Sequence, residues 1–253
     1  MVSKHTLSVN GSSSARAVFF DLDETLIKNN IPVRKLFPRV YSDFKEAIDP
    51  KSRKIFFEVL QYEVKKLWIH MFDSDTSPEQ QLVNCFVKAL NETNSLSPGR
   101  TPKLAKVMVT HFFKLGAHNV ELHDGVIETL TALRKKGITI GIVTNGIKTL
   151  QKGKIRHLKL ERYVDSVIIS GEAGAHKPDQ EIFDLALSEA NVTANQAWFV
   201  GDHVINDVAG AVKAGLTSVY YNPQNLHVEK SFVGVLERPD YTINHLSELL
   251  EYL

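Results

Sequence analysis

Read from its N-terminus, the chain switches between two periodicities. Ala17-Val18-Phe19-Phe20 is an unbroken apolar run that stops at Asp21, the pattern of a strand buried on both faces. Similar runs occur at Ile138–Val143, Ser166–Ile169, Ala197–Val200 and Thr217–Tyr221. Between the later runs the apolar spacing lengthens to three or four residues. Val126, Leu130 and Leu133 precede a stop at Gly137, while Ile182, Phe183, Ala186, Leu187 and Ala190 follow Pro178 and Asp179, which suit a helix start. Val208, Ala211 and Val212 mark another helix ending near Gly215, and Leu246, Leu249 and Leu250 form a last one. Strands alternating with helices predict an α/β fold: a Rossmann-like parallel sheet core with helices on both faces.

The interval from Lys28 to Val120 breaks this alternation and shows helical spacing only. Leu36, Val40, Phe44 and Ile48 form one set, and Ile55, Phe56, Val59, Leu60, Leu67, Trp68 and Met71 a second. Leu82, Val83, Phe86 and Leu90 follow, then Leu104, Val107, Met108 and Leu115. Turn signals at Asp49-Pro50, Ser77-Pro78 and Ser97-Pro98-Gly99 separate them. An excursion this long is not a structureless loop in a compact protein. The expected organisation is therefore a polar leader over 1–16, an α/β core built from 17–27 and 121–253, and an inserted helical cap domain over 28–120. Helical spacing assigns most of the cap aromatics, Phe56, Phe57, Trp68, Phe72, Phe112 and Phe113, to its core rather than to a substrate pocket.

Composition narrows the function classes. The 253 residues carry a formal net charge of +1, which suggests neither a nucleic-acid polymer nor an anionic membrane as partner. Cys85 is the only cysteine, so an internal disulfide and a multi-cysteine metal site are excluded. No stretch approaches the roughly 20 apolar residues that span a bilayer, and the serine- and glycine-containing leader lacks the apolar centre of a secretory signal. A cytoplasmic enzyme, monomeric or a homodimer through its apolar cap, is the expectation.

Candidate chemistry falls at the carboxyl ends of the predicted strands, where open parallel sheets bind ligands. Asp21-Leu22-Asp23-Glu24-Thr25 follows the first strand, and two carboxylates so close call for a cation to offset their repulsion. Val143-Thr144-Asn145-Gly146 follows the second with a hydroxyl and N–H groups near a helix start, suited to phosphate oxygens. Lys177, in Ala175-His176-Lys177-Pro178-Asp179 after the third, offers a compact positive charge. Gly201-Asp202-His203-Val204-Ile205-Asn206-Asp207, after the fourth, adds two carboxylates of the kind Mg²⁺ prefers. His176 and His203 flank these groups, where substrate contact competes with the commoner reading of a solvated side chain, and Glu24 is read as pointing toward the cap hinge or into solvent.

In this order the motifs resemble those of the haloacid dehalogenase-like hydrolase superfamily, over essentially all of Ala17 to Leu253. Asp21 to Thr25 match its first motif, Thr144 its second, Lys177 its third, and Gly201-Asp202 with Asp207 its fourth. Within it, Thr144-Asn145-Gly146, Ser170-Gly171-Glu172, Lys177-Pro178 and Gly201-Asp202 are similar to pyrimidine 5′-nucleotidase and N-acylneuraminate-9-phosphatase members.

The resemblance implies a phosphatase of small phosphorylated metabolites. Asp21 would be the nucleophile and Asp23 the general acid and base. Thr144, the Asn145 amide and Lys177 would hold the phosphoryl group. Mg²⁺ would be bound by Asp21, the Asp23 carbonyl, Asp202 and Asp207. The dehalogenases of the superfamily lack an aspartate at the place of Asp23, so its presence favours phosphoryl chemistry. A sugar phosphomutase, or a phosphometabolite-binding protein without catalysis, is the alternative.

Overall fold

A computed structural model describes residues 15–71, 75–94 and 99–253; the leader up to residue 14, Phe72 and Ser97-Pro98 lie outside the described residues. The chain begins with β1 (Ala17–Phe20) and β2 (Ile27–Asn29). Four long helical pieces follow: α1 (Leu36–Asp43), α2 (Arg53–His70), α3 (Pro78–Asn91) and α4 (Thr101–His118). After β3 (Val120–Leu122) and α5 (Val126–Lys135) come β4 (Thr139–Thr144), α6 (Lys148–His157), β5 (Ser166–Ile169) and the one-turn α7 (Ser170–Ala173). Then come α8 (Gln180–Ala190), β6 (Ala197–Gly201), a π-helical turn (Val204–Ala209), α9 (Gly210–Lys213), β7 (Thr217–Tyr221) and β8 (Tyr241–Ile243).

Six strands form one parallel sheet in the order β5-β4-β1-β6-β7-β8. The predicted parallel α/β core is therefore present. β1 lies centrally because every one of its residues is apolar and completely buried. Its alternation serves both faces at once: Val18 and Phe20 join the cluster with Leu130, Ile142 and Leu246, while Ala17 and Phe19 pack with Ile182, Phe183 and Phe199. Each fully buried phenylalanine contributes about 1.5–3 kcal/mol. The strand order reverses about β1, whose partners are β4 on one side and β6 on the other. That reversal opens a crevice at the carboxyl edge.

The helical segment has its own apolar cluster around Leu36, Phe56, Leu60, Phe86, Met108 and Phe112, as the spacing predicted. Two of the turn signals read from sequence prove to hold helix caps. The Ser77 hydroxyl accepts from the Gln80 N–H ahead of α3, and Asp49 accepts from the Lys51 N–H beside Pro50. Ile147 and Leu150, at the start of α6, belong to the same cluster, so this apolar core extends onto the α/β part. The segment joins the sheet through an antiparallel ribbon in which Ile27 pairs with Leu122 and Asn29 with Val120. At its base, the Asn119 side chain accepts from the Ile31 N–H and donates to the Ile31 carbonyl.

Candidate active site

β5, β4, β1 and β6 are neighbours, and each delivers a functional group to the same edge. Asp21 leaves the sheet directly after Phe20, its N–H donating to the Val200 carbonyl at 2.9 Å. Thr144 is the last residue of β4 and is buried; Gly201 ends β6 and hands the chain to Asp202. Lys177 arrives from the loop between α7 and α8. Asp21, Asp23, Thr144, Asn145, Lys177, Asp202 and Asp207, the whole set singled out from sequence, line one cavity of about 250 Å³, joined by Glu24, His203 and Asn206.

The Lys177 ammonium is buried and donates to Asp21 Oδ1 and to Asp207 Oδ1, both at 2.7 Å, with the Phe199 ring 5.1 Å away. Burial works against its charge, but the Asp207 and Asp21 carboxylates outweigh it and raise its pKa. Asn145 holds this lysine in place: its side-chain oxygen accepts from the Lys177 N–H at 2.9 Å, and its side-chain NH₂ donates to the Lys177 carbonyl at 2.8 Å. The side-chain amide of Asn145 is thus committed to the protein, and its main-chain N–H is the group that can meet a phosphoryl oxygen.

Carboxylate oxygens of Asp21, Asp202 and Asp207 lie within 4.8 Å of one another. Burial, reinforced by Asp207 and opposed by Lys177, pushes the Asp21 carboxyl up to about 8. Burial and then Asp207 push Asp202 up to about 7, although the Thr25 hydroxyl donates to it at 3.2 Å. Three hard oxygen donors crowded around one ammonium have the chemistry of a divalent-cation site, and a bound cation would relieve their repulsion. Gly201 makes the arrangement possible, since a Cβ there would fall 2.4 Å from the Asp207 side chain. The other Asp207 oxygen accepts from the His203 N–H at 2.9 Å.

Asp23 faces elsewhere. Its carboxylate accepts two bonds from the Lys154 ammonium, at 2.7 and 2.9 Å, one from the Gln151 side chain at 2.8 Å, and a longer one from Asn29 at 3.3 Å. Burial would raise its pKa, but Lys154 and these hydrogen bonds outweigh burial and lower it. The charge of the Asp21–Asp23 pair is therefore offset in two separate places, by Lys177 for the first and Lys154 for the second. Gln151 also donates to the Thr144 hydroxyl oxygen at 2.8 Å, tying the second motif to Asp23, while the Thr144 hydroxyl itself donates only at long range, 3.5 Å, to the Asn145 carbonyl.

The profile of the haloacid dehalogenase-like hydrolase family matches residues 18–221. The chain belongs to that family. It is 30% identical over 245 residues to a ribulose-1,5-bisphosphate 5-phosphatase from Halopiger xanaduensis, covering 94% of this chain and 98% of the relative. A pyrimidine 5′-nucleotidase from Escherichia coli is 28% identical over 93% of this chain and 96% of its own. Among solved structures, a 2-haloacid dehalogenase from Pseudomonas syringae superposes with a TM-score of 0.74 at 26% identity, over 94% of this chain and 97% of that one.

Within this haloacid dehalogenase-like hydrolase, sequence reading missed Gln151 and Lys154. Both are buried on α6, whose inward stripe runs Ile147, Leu150, Gln151, Lys154 and Ile155. Two polar residues at the core positions of a helical stripe were the available signal. The flanking groups have local roles. His203 Nδ1 accepts from the Ile205 and Asn206 N–H groups, capping the π-helical turn, and His176 pairs with Asp179 at 2.8 Å. Glu24 accepts from the Asn29 side chain at 3.0 Å, on the ribbon that leads to the helical segment.

Proposed function

We propose that this hydrolase is a Mg²⁺-dependent phosphatase acting on a small phosphorylated metabolite, either a nucleoside monophosphate or a sugar or sugar-acid phosphate. The observation that carries the reading is the shared 250 Å³ cavity, in which three crowded carboxylates, a buried lysine and a buried threonine converge. The family membership and the activities named for its relatives point the same way.

Asp21 attacks the phosphorus in line. A bond forms between a carboxylate oxygen and phosphorus as the bond to the leaving oxygen breaks, giving an aspartyl-phosphate. Asp23 supplies the proton that the leaving oxygen needs. Its proton affinity rises when the substrate's negative phosphate enters beside it, because a nearby like charge disfavours the ionised carboxyl. In the second half, ionised Asp23 takes a proton from water as the water oxygen attacks phosphorus, freeing Asp21 and inorganic phosphate. Thr144, the Asn145 N–H and Lys177 hold the phosphoryl oxygens where negative charge accumulates. Mg²⁺, held by Asp21, Asp202, Asp207 and the Asp23 carbonyl, would supply positive charge against those oxygens. The segment 28–120 serves as the cap, carried on the β2–β3 ribbon. No helix among the described residues is long and apolar enough to cross a membrane, and we place the enzyme in the cytoplasm.

The test is phosphate release. Hydrolysis of an aryl phosphate with Mg²⁺, lost on chelation, separates a phosphatase from a binding protein; free phosphate rather than an isomer separates it from a mutase. Asp21→Asn abolishes turnover in a protein that remains folded, and full turnover in that variant refutes the assigned nucleophile.

A further inference from the structure

A second cavity, of about 960 Å³, opens from the first and shares Asp23 and Asn145 with it. Lys154, Gln151 and Asn29 gather at that junction, where all three bond to Asp23, and Arg34, Gln61 and Lys65 are the polar side chains elsewhere in the lining. Beyond them the walls are mostly apolar and contain four aromatic rings, those of Phe37, Phe57, Trp68 and Phe112. Phe37 and Phe112 stack on each other with ring centres 4.8 Å apart.

Helix α2 explains why the cavity is apolar. One of its faces, with Phe56, Leu60 and Leu67, is buried in the apolar cluster of the helical segment. A second face, with Phe57, Trp68 and Ile69, lines the cavity. Trp68 and Ile69 remain 53% and 64% exposed. A helix with an apolar stripe packed inward ordinarily turns a polar face outward. Here the outward face sets Phe57, Trp68 and Ile69 beside Gln61 and Lys65 over the entrance to the active site, and its place beside Asp23 and Asn145 identifies the occupant as the part of the substrate that leaves.

We propose that this part is a nucleoside, so that the substrate is a nucleoside 5′-monophosphate with its base against Trp68 and Phe57. The inference rests on the phosphatase reading and selects within it. The order of chemistry along the two cavities matches that ligand. Phosphate sits in the charged cavity, ribose hydroxyls meet the Asn29–Gln151–Lys154 collar, and a flat, weakly polar ring meets the aromatic wall. A short polyol would offer no flat ring to the wall of Phe37, Phe57, Trp68 and Phe112. A three-carbon leaving group would leave most of the 960 Å³ unfilled.

The experiment compares nucleoside 5′-monophosphates with ribose 5-phosphate, which is the same ester without its base, and with a sugar-acid phosphate. The expected kcat/KM favours the nucleotides over ribose 5-phosphate by about tenfold or more. Trp68→Ala and Phe57→Ala each shrink that ratio by roughly two- to tenfold, the scale of one aromatic contact. Equal or better hydrolysis of ribose 5-phosphate or the sugar-acid phosphate overturns the proposal.

Binding to the Asp21→Asn variant is the independent readout. A nucleoside monophosphate should quench the fluorescence of Trp68, and the quench should vanish in Trp68→Phe, which retains only the buried Trp198. A quench without turnover of any ester by the wild-type enzyme sinks the phosphatase reading and keeps the nucleoside site. Turnover with no quench sinks the nucleoside site and keeps the phosphatase.

Discussion

Two buried lysines each hold one aspartate of the Asp21-Leu22-Asp23 turn, and the regions that supply them are built differently. Lys177 comes from the loop beyond β5. Its main chain is clamped by Asn145, and its ammonium is shared between two buried carboxylates at the sheet edge. Lys154 comes from α6, which packs along α4 and lends Ile147 and Leu150 to the apolar core of the helical segment. The proposed nucleophile, Asp21, is thus held at the buried sheet edge. The proposed proton donor, Asp23, is held by a helix whose first turn joins the apolar cluster of the helical segment. A division of this kind lets charge be held still while the group next to the leaving atom stays coupled to whatever the cap encloses.

The comparison breaks hardest at Lys177. Lys177→Met keeps the apolar stem and removes the ammonium, leaving Asp21 and Asp207 buried without their partner. Removing one member of a buried pair costs about 3–5 kcal/mol at neutral pH, and losing the charge that faces the phosphoryl oxygens lowers kcat by roughly 10²–10³. Urea unfolding and phosphate release measure the two. A variant with unchanged stability would mean that Lys177 does not carry the charge balance of the cavity.

The two regions were unequally legible. The sheet edge could be read because parallel strands are continuous apolar runs and their functional residues directly follow them, as at Phe20–Asp21 and Gly201–Asp202. Among the strands only β8, three residues long and fully buried only at Ile243, and the β2–β3 ribbon escaped. The helices of the segment 28–120 were also visible in their spacing, but its division of labour was not. Apolar residues on two sides of α2 cancel as a periodic signal, so Trp68, assigned with the other aromatics to the core of the helical segment, is half exposed and lines the cavity instead. Phe56 and Phe112 are buried as that spacing predicted. Helix α6, Lys148–His157, is polar over most of its length, and the narrow stripe that contains Gln151 and Lys154 was not read from the sequence.

A cation sharpens the contrast, because it should act on the Asp21 side only. In the folded protein Asp21 and Asp202 titrate at about 8 and about 7, above their ordinary 3.8. Between pH 4 and 8 the folded state therefore retains protons that the unfolded chain has released. Their stabilisation is complete below about pH 4 and is lost as pH rises through 7 and 8. The melting temperature of chelated protein should accordingly fall from pH 5 to pH 8. Mg²⁺ needs the ionised carboxylates, so it should raise the melting temperature more at pH 8 than at pH 5. At a hundredfold excess over Kd the gain is about 2.7 kcal/mol, or roughly 5–10 °C for a chain of this size. A Mg²⁺ effect of the same size at both pH values would count against the Asp21–Asp202–Asp207 site.

The smallest effect is expected at Lys154, and its form matters more than its size. The Asp23 side chain is 30% exposed, so water partly replaces the lost ammonium in Lys154→Met, and the stability cost is about 1 kcal/mol. Turnover should fall by roughly ten- to a hundredfold, less than the 10²–10⁴ that a removed acid–base group costs, because Asp23 remains but is no longer aimed. The loss should depend on the leaving group. An alkyl phosphate needs a proton delivered to its departing oxygen and should show the full drop in kcat with little change in KM. A nitrophenyl phosphate departs as a stable anion, needs no proton, and should be nearly unaffected. Lys154→Arg, which restores a charged donor, should recover part of the alkyl rate. A lysine that merely filled space in α6 would slow both esters alike, and that result would remove Lys154 from any part in orienting Asp23.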